Sequence, residues 1–304
     1  MQLLTDQLGS GYPLDYLAAR LQCRLALSAA EPPENIRPAT SAESPARDDF
    51  IDKEVKRKRF WLYTQMDESA RGLLQPVYIH YEISSLFHHL RLRQGQEKMS
   101  KDFFADSVLP KKFIQSVWRC GTLFECMKVF ERHFAQSIRP LENIAAFYAS
   151  KGLAKTEERV IEALLQWGTG EKSTPTVRVA FAKFIDAYNC RKAAKWLRWD
   201  IEESCSFAPG GMLCPQRLRR LIREKNQGGL ERYSHHADCN QIQQGGDWPV
   251  EEVVLASLRN RVRQQDKIAI VLFYFWSVAE QAKQWRREGR PTPATSHLFE
   301  GATA

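Results

Sequence analysis

Apolar residues recur at steps of three and four along Val179 to Trp199. Ala180, Phe184, Ala187, Cys190, Ala194 and Leu197 form one stripe on a helix. Phe181, Ile185 and Tyr188 widen the stripe beyond a coiled-coil seam. The helix is therefore expected inside a bundle, with Phe184 and Tyr188 buried between helices. Lys183, Arg191, Lys192 and Lys195 fall off the stripe. Arg198 adds positive charge at the C-terminal end, where it is favourable.

Two other stretches repeat the pattern. Ile79 to Gln94 has Ile79, Ile83, Leu86 and Leu90 in register, and Ile268 to Arg287 has Ile268, Val271, Phe275, Val278, Ala282 and Trp285. Each carries an acid before a basic end: Glu82, Asp186 and Glu280. Glu82 and Asp186 are 104 residues apart, Asp186 and Glu280 94 apart, so 304 residues hold three such units. The units divide the chain into 1–108, 109–208 and 209–304. The acids are too distant in sequence to pair with one another. A structural role is expected for them, as caps or as partners of Arg91, Arg191 or a neighbouring unit.

Other helices fill the intervals. Asp15 to Leu27 puts Tyr16, Leu17, Leu21 and Leu25 on one face. Ala30 to Asp48, with four prolines, predicts a long loop. Asp49 to Leu74 returns to helix, and Pro76 is expected to break the chain before the first echo. Helices are predicted over Phe113–Cys120, Thr122–Phe134, Leu141–Lys151 with a stop at Gly152, and Thr156–Trp167 with Thr156 as cap. Pro209-Gly210-Gly211-Met212-Leu213 forms a turn, and aligning Leu213 with Phe113 gives a period of 100 residues. Cys214 to Lys225 predicts a strongly basic helix, and Val250 to Arg263 leads into the third echo. No run alternates as a strand does, so the class is all-α.

The net charge of +8 and pI near 9.1 favour acidic partners: nucleic acid, anionic lipid heads or an acidic protein face. The seven cysteines have no regular spacing and no CxxC, and most sit in apolar settings, as reduced cytosolic thiols do. The first residues lack the basic and apolar regions of a signal peptide. The longest apolar run, Ile268 to Trp276, is short of the roughly 20 residues of a membrane span. The chain is expected to be cytoplasmic, soluble or peripheral on a membrane complex.

No Walker loop, GxSxG, HExxH or GxGxxG occurs. His235, His236 and Cys239, with Cys205 or Cys214, are candidate zinc ligands at a spacing that matches no standard site. His88 and His89 point apart on a helix, one packed and one solvated, and do not chelate together. Aromatic and basic residues interleave at Phe60-Trp61, Trp118-Arg119, Trp196 to Trp199 and Trp285 to Arg287. That is a stacking pattern for single-stranded nucleic acid, although aromatics at helical spacing also build cores. The run EVKRKR up to Arg59 reads as a solvated helix face or a nucleic-acid contact.

These residues together resemble the C/d family of central-stalk proteins in V/A-type (vacuolar/archaeal-type) rotary ATPases. Tyr16-Leu17-Ala18-Ala19-Arg20 is similar to that family's Tyr-Leu-Asn-Ala-Arg, with Ala18 in place of Asn. Its Asp-x-x-Asn-Leu-Lys helix is softened to Glu82, Ser85, Leu86, Leu90 and Arg91. It returns as Asp186, Asn189 and Arg191, with Cys190 in place of Leu. The Pro209 to Leu213 turn and a last helix ending in a basic stretch and Gly289 also resemble the family. The third helix departs from it, with Lys283-Gln284-Trp285, as does the proline-rich loop. The likeness runs in motif order from about Gly11 to Glu300.

The resemblance implies three helical-bundle domains packed as a funnel around a pseudo-threefold axis. The funnel couples a membrane rotor ring to a central shaft in ion transport or ATP synthesis. It implies no catalysis, no cofactor, no metal, no small-molecule substrate and no nucleic acid. If the units are related by that axis, Arg91 and Arg93, Lys195 and Arg198, and Arg286, Arg287 and Arg290 form a basic rim that seats a partner. The competing classes are a basic helical nucleic-acid-binding protein and, on the His235/His236/Cys239 loop, a metal-dependent enzyme.

Overall fold

The long helices of this chain start where a side chain is available to take the unpaired N–H groups of a first turn. The computed structural model describes residues 3–5, 10–30, 44–96, 104–199, 206–230 and 250–288. Among them are α1 (Leu14–Ala30), α2 (Ser44–Thr64), α3 (Glu68–Gln94), α4 (Lys111–Arg119) and α5 (Leu123–Phe134). These are followed by α6 (Ile144–Gly168), α7 (Pro175–Trp199), α8 (Pro215–Arg223), α9 (Val250–Arg263) and α10 (Lys267–Glu288). No strand occurs among the described residues. The nearest to one is an isolated bridge between Tyr12 and Met66. The class is all-α.

The three echo stretches lie in α3, α7 and α10. Asp67 Oδ1 accepts the Ala70 N–H at 2.8 Å to open α3. Thr174 Oγ1 accepts from Val177 at 3.3 Å for α7, and Asp266 Oδ1 from Ala269 at 3.1 Å for α10. Asp266 also takes the Thr176 hydroxyl on Oδ2 at 2.6 Å, so one carboxylate ties the starts of α7 and α10 together. A capping box between Thr122 and Glu125 opens α5.

Several predicted boundaries move. Pro76 lies buried inside α3, and the break falls instead at Gln65 to Asp67. A proline inside a helix costs about 3 kcal/mol. Here Leu74, Val77, Tyr78 and Ile79 around it are all at most 3% exposed, and their burial outweighs the lost bond. Ser44 to Asp48, expected in the loop, is the first turn of α2, and 31–43 lie outside the described residues. Arg139–Leu141 forms a separate 3-10 turn before α6. Within α6 Gly152 is non-helical (φ 78°), so the expected stop is a kink. Thr156 does not cap the second half. Its hydroxyl donates to the Gly152 carbonyl at 2.7 Å.

The main core runs from Leu3 to Ala282, and a second cluster lies beneath α8 between Ala187, Cys190, Phe207, Leu218, Leu221 and Val253. In the main core α3 packs on α6, α7 on α9, and α10 on both α1 and α2. The contacts thus pass from the first long helix to the last and return to the N-terminal pair. Trp276 Nε1 donates to Tyr81 Oη at 2.7 Å across α10 and α3, and Phe275 sits edge-on to Tyr78 and Tyr81.

Of the expected α7 stripe, Ala180, Ala187 and Cys190 are buried, as are Phe181 and Ile185 that widen it, whereas Phe184 and Tyr188 are half-buried at the core edge. Lys183 is buried too, and Lys192 pairs with Glu158 and with Glu162 on α6. On α1, Leu17 and Leu21 are buried, but Tyr16 is exposed, its ring 4.7 Å from that of Tyr12 and tilted against it. Cys126 and Cys190 are buried and Cys120 is half-buried, while Cys23 and Cys214 are exposed, so apolar settings hold for only some of the thiols described.

Phe181→Ala is expected to cost about 3–5 kcal/mol in chemical denaturation, as large-to-small core changes do. Phe184→Ala is expected to cost clearly less. Equal costs would show that the two rings share one packing environment.

Candidate functional site

A buried carboxylate stabilises a fold only when donors replace the water it gives up. Two carboxylates here, Asp186 buried and Glu82 half-buried, obtain their donors from the chain that returns after each long helix. Glu82 on α3 accepts the Val108 N–H at 3.0 Å and the Ser107 hydroxyl at 2.6 Å. Asp186 on α7 accepts the Leu213 N–H at 2.8 Å. One helical turn on, Asn189 accepts the Ala208 N–H at 2.9 Å and donates to its carbonyl at 2.8 Å. Ser85, at the matching place on α3, lines a cavity beside Glu82 together with Lys56, Arg59 and Asp106.

Each clamped loop leads directly into a nine-residue helix, α4 after Pro110 and α8 from Pro215. Structurally, Val108 therefore corresponds to Leu213 and Pro110 to Pro215, an offset of 105 residues. The period of 100 residues that pairs Phe113 with Leu213 is thus corrected by five. The turn into α8 needs its glycines. Gly210 has φ of 98°, and a Cβ on Gly211 would lie 2.3 Å from Asp186 Oδ1.

Burial pushes the Glu82 carboxyl up, against the Ser107 hydroxyl, the Val108 N–H and the charges of Lys56 and Arg59, which pull it down. Burial likewise raises Asp186, against the N–H groups of Leu213 and Met212 and the charge of Lys183. Asp186 Oδ2 is buried with no hydrogen-bond partner among the described residues. Arg59 completes the first site: its guanidinium lies 3.8 Å above the Tyr81 ring and 4.5 Å from that of Phe275. Neither acid pairs with the arginine expected for it.

The predicted rim residues fare differently from one another. Arg91 forms an ion pair with Glu157 on α6. Arg93 donates to the carbonyls of Val117 and Cys120 and to Cys126 Sγ, so it fastens the α4–α5 turn. Lys195 and Arg198 are exposed near the end of α7, with Lys195 4.6 Å from the Trp199 ring. Arg286 and Arg287 lie in the last turns of α10. Arg290 is outside the described residues, as are His235, His236, Cys239 and Cys205. Cys214 is exposed with Sγ 3.0 Å from Gln216 Oε1. Among the described residues no three His, Cys, Asp or Glu side chains converge on a metal-sized space. No described helix is long and apolar enough to cross a membrane.

Of the histidine pair, His88 is exposed and His89 buried between the rings of Phe104 and Trp118, 5.0 and 5.3 Å away. Burial, with Arg93, His88 and Lys56 adding to it, lowers the His89 pKa to about 4. Sequence reasoning missed Asn189 as a clamp and the Glu158/Glu162 pair that holds Lys192. Their partners lie 19 or more residues away, where no helical spacing rule reaches.

No model of a known protein family matches the chain, and no curated protein is similar enough to match it.

Asp186→Ala leaves N–H groups of the turn without an acceptor and is expected to cost about 1–3 kcal/mol. Asp186→Asn keeps an oxygen acceptor without the buried charge and should cost less. Denaturant midpoints of the two variants check this, and a costlier Asn variant would mean that the charge itself stabilises the turn. For His89 the folded pKa lies below the unfolded value of about 6.5. Its contribution is thus fully present above pH 6.5 and is lost as pH falls toward 4. His89→Leu should flatten thermal stability over that window. An unchanged slope would assign it to another group.

Proposed function

We propose that the chain is a non-catalytic central-stalk component of a V/A-type rotary ATPase, a socket coupling the rotating shaft to the membrane ring. The observation that carries this reading is the cyclic order of helix packing, α3 on α6, α7 on α9 and α10 on α1 and α2. A socket that turns under load needs each unit braced by the next, with the last braced by the first. The two acid-clamped turns, 104 to 105 residues apart, support a repeated unit within that order. On this reading the three units form a funnel about a pseudo-threefold axis, dividing near 108 and 208. The protein is peripheral, on the cytoplasmic face, and holds no nucleotide or metal.

With Arg91 and Arg93 each held by another part of the chain, the rim is carried by Lys195, Arg198, Arg286, Arg287 and Arg290. These would match acidic groups of the ring or shaft. Co-expression with the ring and shaft proteins of such an ATPase tests the reading. The chain should purify with them in fixed stoichiometry, and elution of the chain alone would overturn the proposal. The double variant Arg286→Glu, Arg287→Glu should weaken that assembly and lower ion transport more than ATP hydrolysis by the detached head, with the protein still folded. Parent-like assembly at low and moderate salt would remove these two residues from the interface.

A further inference from the structure

The charge of this protein is not spread evenly. The helices α4 and α8 present Lys111, Lys112 and Arg119, and Arg217, Arg219, Arg220 and Arg223, all exposed, and contain no acid. Those seven cations stand against a net charge of +8 for the whole chain. The rest of the molecule is therefore close to neutral. The two helices also occupy corresponding places: each has nine residues, each follows a proline-containing turn, and each turn is held by a carboxylate of the preceding long helix.

Their apolar sides are already used. Phe113 and Val117 of α4 are buried, as are Leu218, Leu221 and Ile222 of α8. The outward cations are thus held on a fixed helical frame. Among the described acids Glu224 lies nearest in sequence to α8, and it pairs with Arg220 at 2.7 Å.

We infer that the outward faces of α4 and α8 are docking surfaces for an acidic protein partner. Four arginines on α8 suit carboxylates, which the guanidinium fork grips at two points. Met212, 67% exposed in the turn just before α8, adds an apolar contact next to them. Arginine and methionine are enriched at protein interfaces. Single-stranded nucleic acid would call for exposed rings between the cations, but Phe113 is buried and Trp118 half-buried. A bilayer would call for an apolar face to insert, and on both helices that face lies in the core. The inference stands apart from the rotor reading, since it uses other residues and asks only for an acidic protein face.

The full-length chain is titrated with a fluorescent polyglutamate peptide, with a single-stranded oligonucleotide of equal charge, and with phosphatidylserine vesicles. Polyglutamate should bind in a salt-sensitive manner and more tightly than the other two. The triple variant Arg217→Glu, Arg219→Glu, Arg223→Glu should lose at least about tenfold in affinity, within the range that electrostatic steering covers. The double variant Lys111→Glu, Lys112→Glu, on a separate helix, should lose affinity as well. A control with the same charge change as the triple variant at other exposed cations, Lys151→Glu, Lys172→Glu, Arg178→Glu, should bind nearly as the parent does. Circular dichroism establishes that each variant is folded. An equal loss in the control, or tighter binding of oligonucleotide or vesicles than of polyglutamate, overturns the inference.

Discussion

A buried carboxylate that accepts backbone N–H groups from a returning loop is the constraint on which the described architecture turns. Each clamp fixes where the chain comes back onto a long helix and where the next short helix begins. Without Asp186 the Leu213 N–H would sit unsatisfied near the second core cluster, and the turn would have no reason to adopt its register. Gly210 and Gly211 then become obligatory, one for its left-handed backbone and the other for the space the carboxylate occupies. Asn189 holds the same strip of chain by both backbone groups of Ala208. Two side chains one helical turn apart thus set the path of residues 208–213 into α8.

The clamps also orient charge. By setting the starts of α4 and α8 they decide which faces of those helices turn inward. The apolar faces cover the core, and the cations are left outside. Cations near the ends of the long helices are partly consumed within the fold, Arg91 by Glu157, Lys192 by Glu158 and Glu162, and Arg93 by the α4–α5 turn, as Arg220 on α8 is by Glu224. Arg59 is used differently again, stacked on two rings beside Glu82. A uniform excess of basic residues in the sequence therefore becomes, in three dimensions, an internal network plus two outward-facing helices.

Local pattern by itself determined the all-helical class and the positions of the three long amphipathic helices. It also determined the helices over Thr122–Phe134 and Val250–Arg263. Periodicity of apolar residues and nearby caps decide such features, and both are encoded within a few residues of one another. The paired pattern of Glu82 and Asp186 was visible too, as a repeat of acids, but with Arg91 and Arg191 rather than backbone N–H groups as the expected partners. Tertiary structure decided the rest. It kept Pro76 inside α3 because neighbouring residues are buried, and it put Phe181 of α7 in the core while leaving Phe184 at the edge. It also brought Glu82 to Val108 and Asp186 to Leu213, partners 26 and 27 residues away. Stripe width, proline rules and charge counts are local quantities. Which edge of a stripe is buried, and which cation meets an acid, depends on elements that the sequence places far apart.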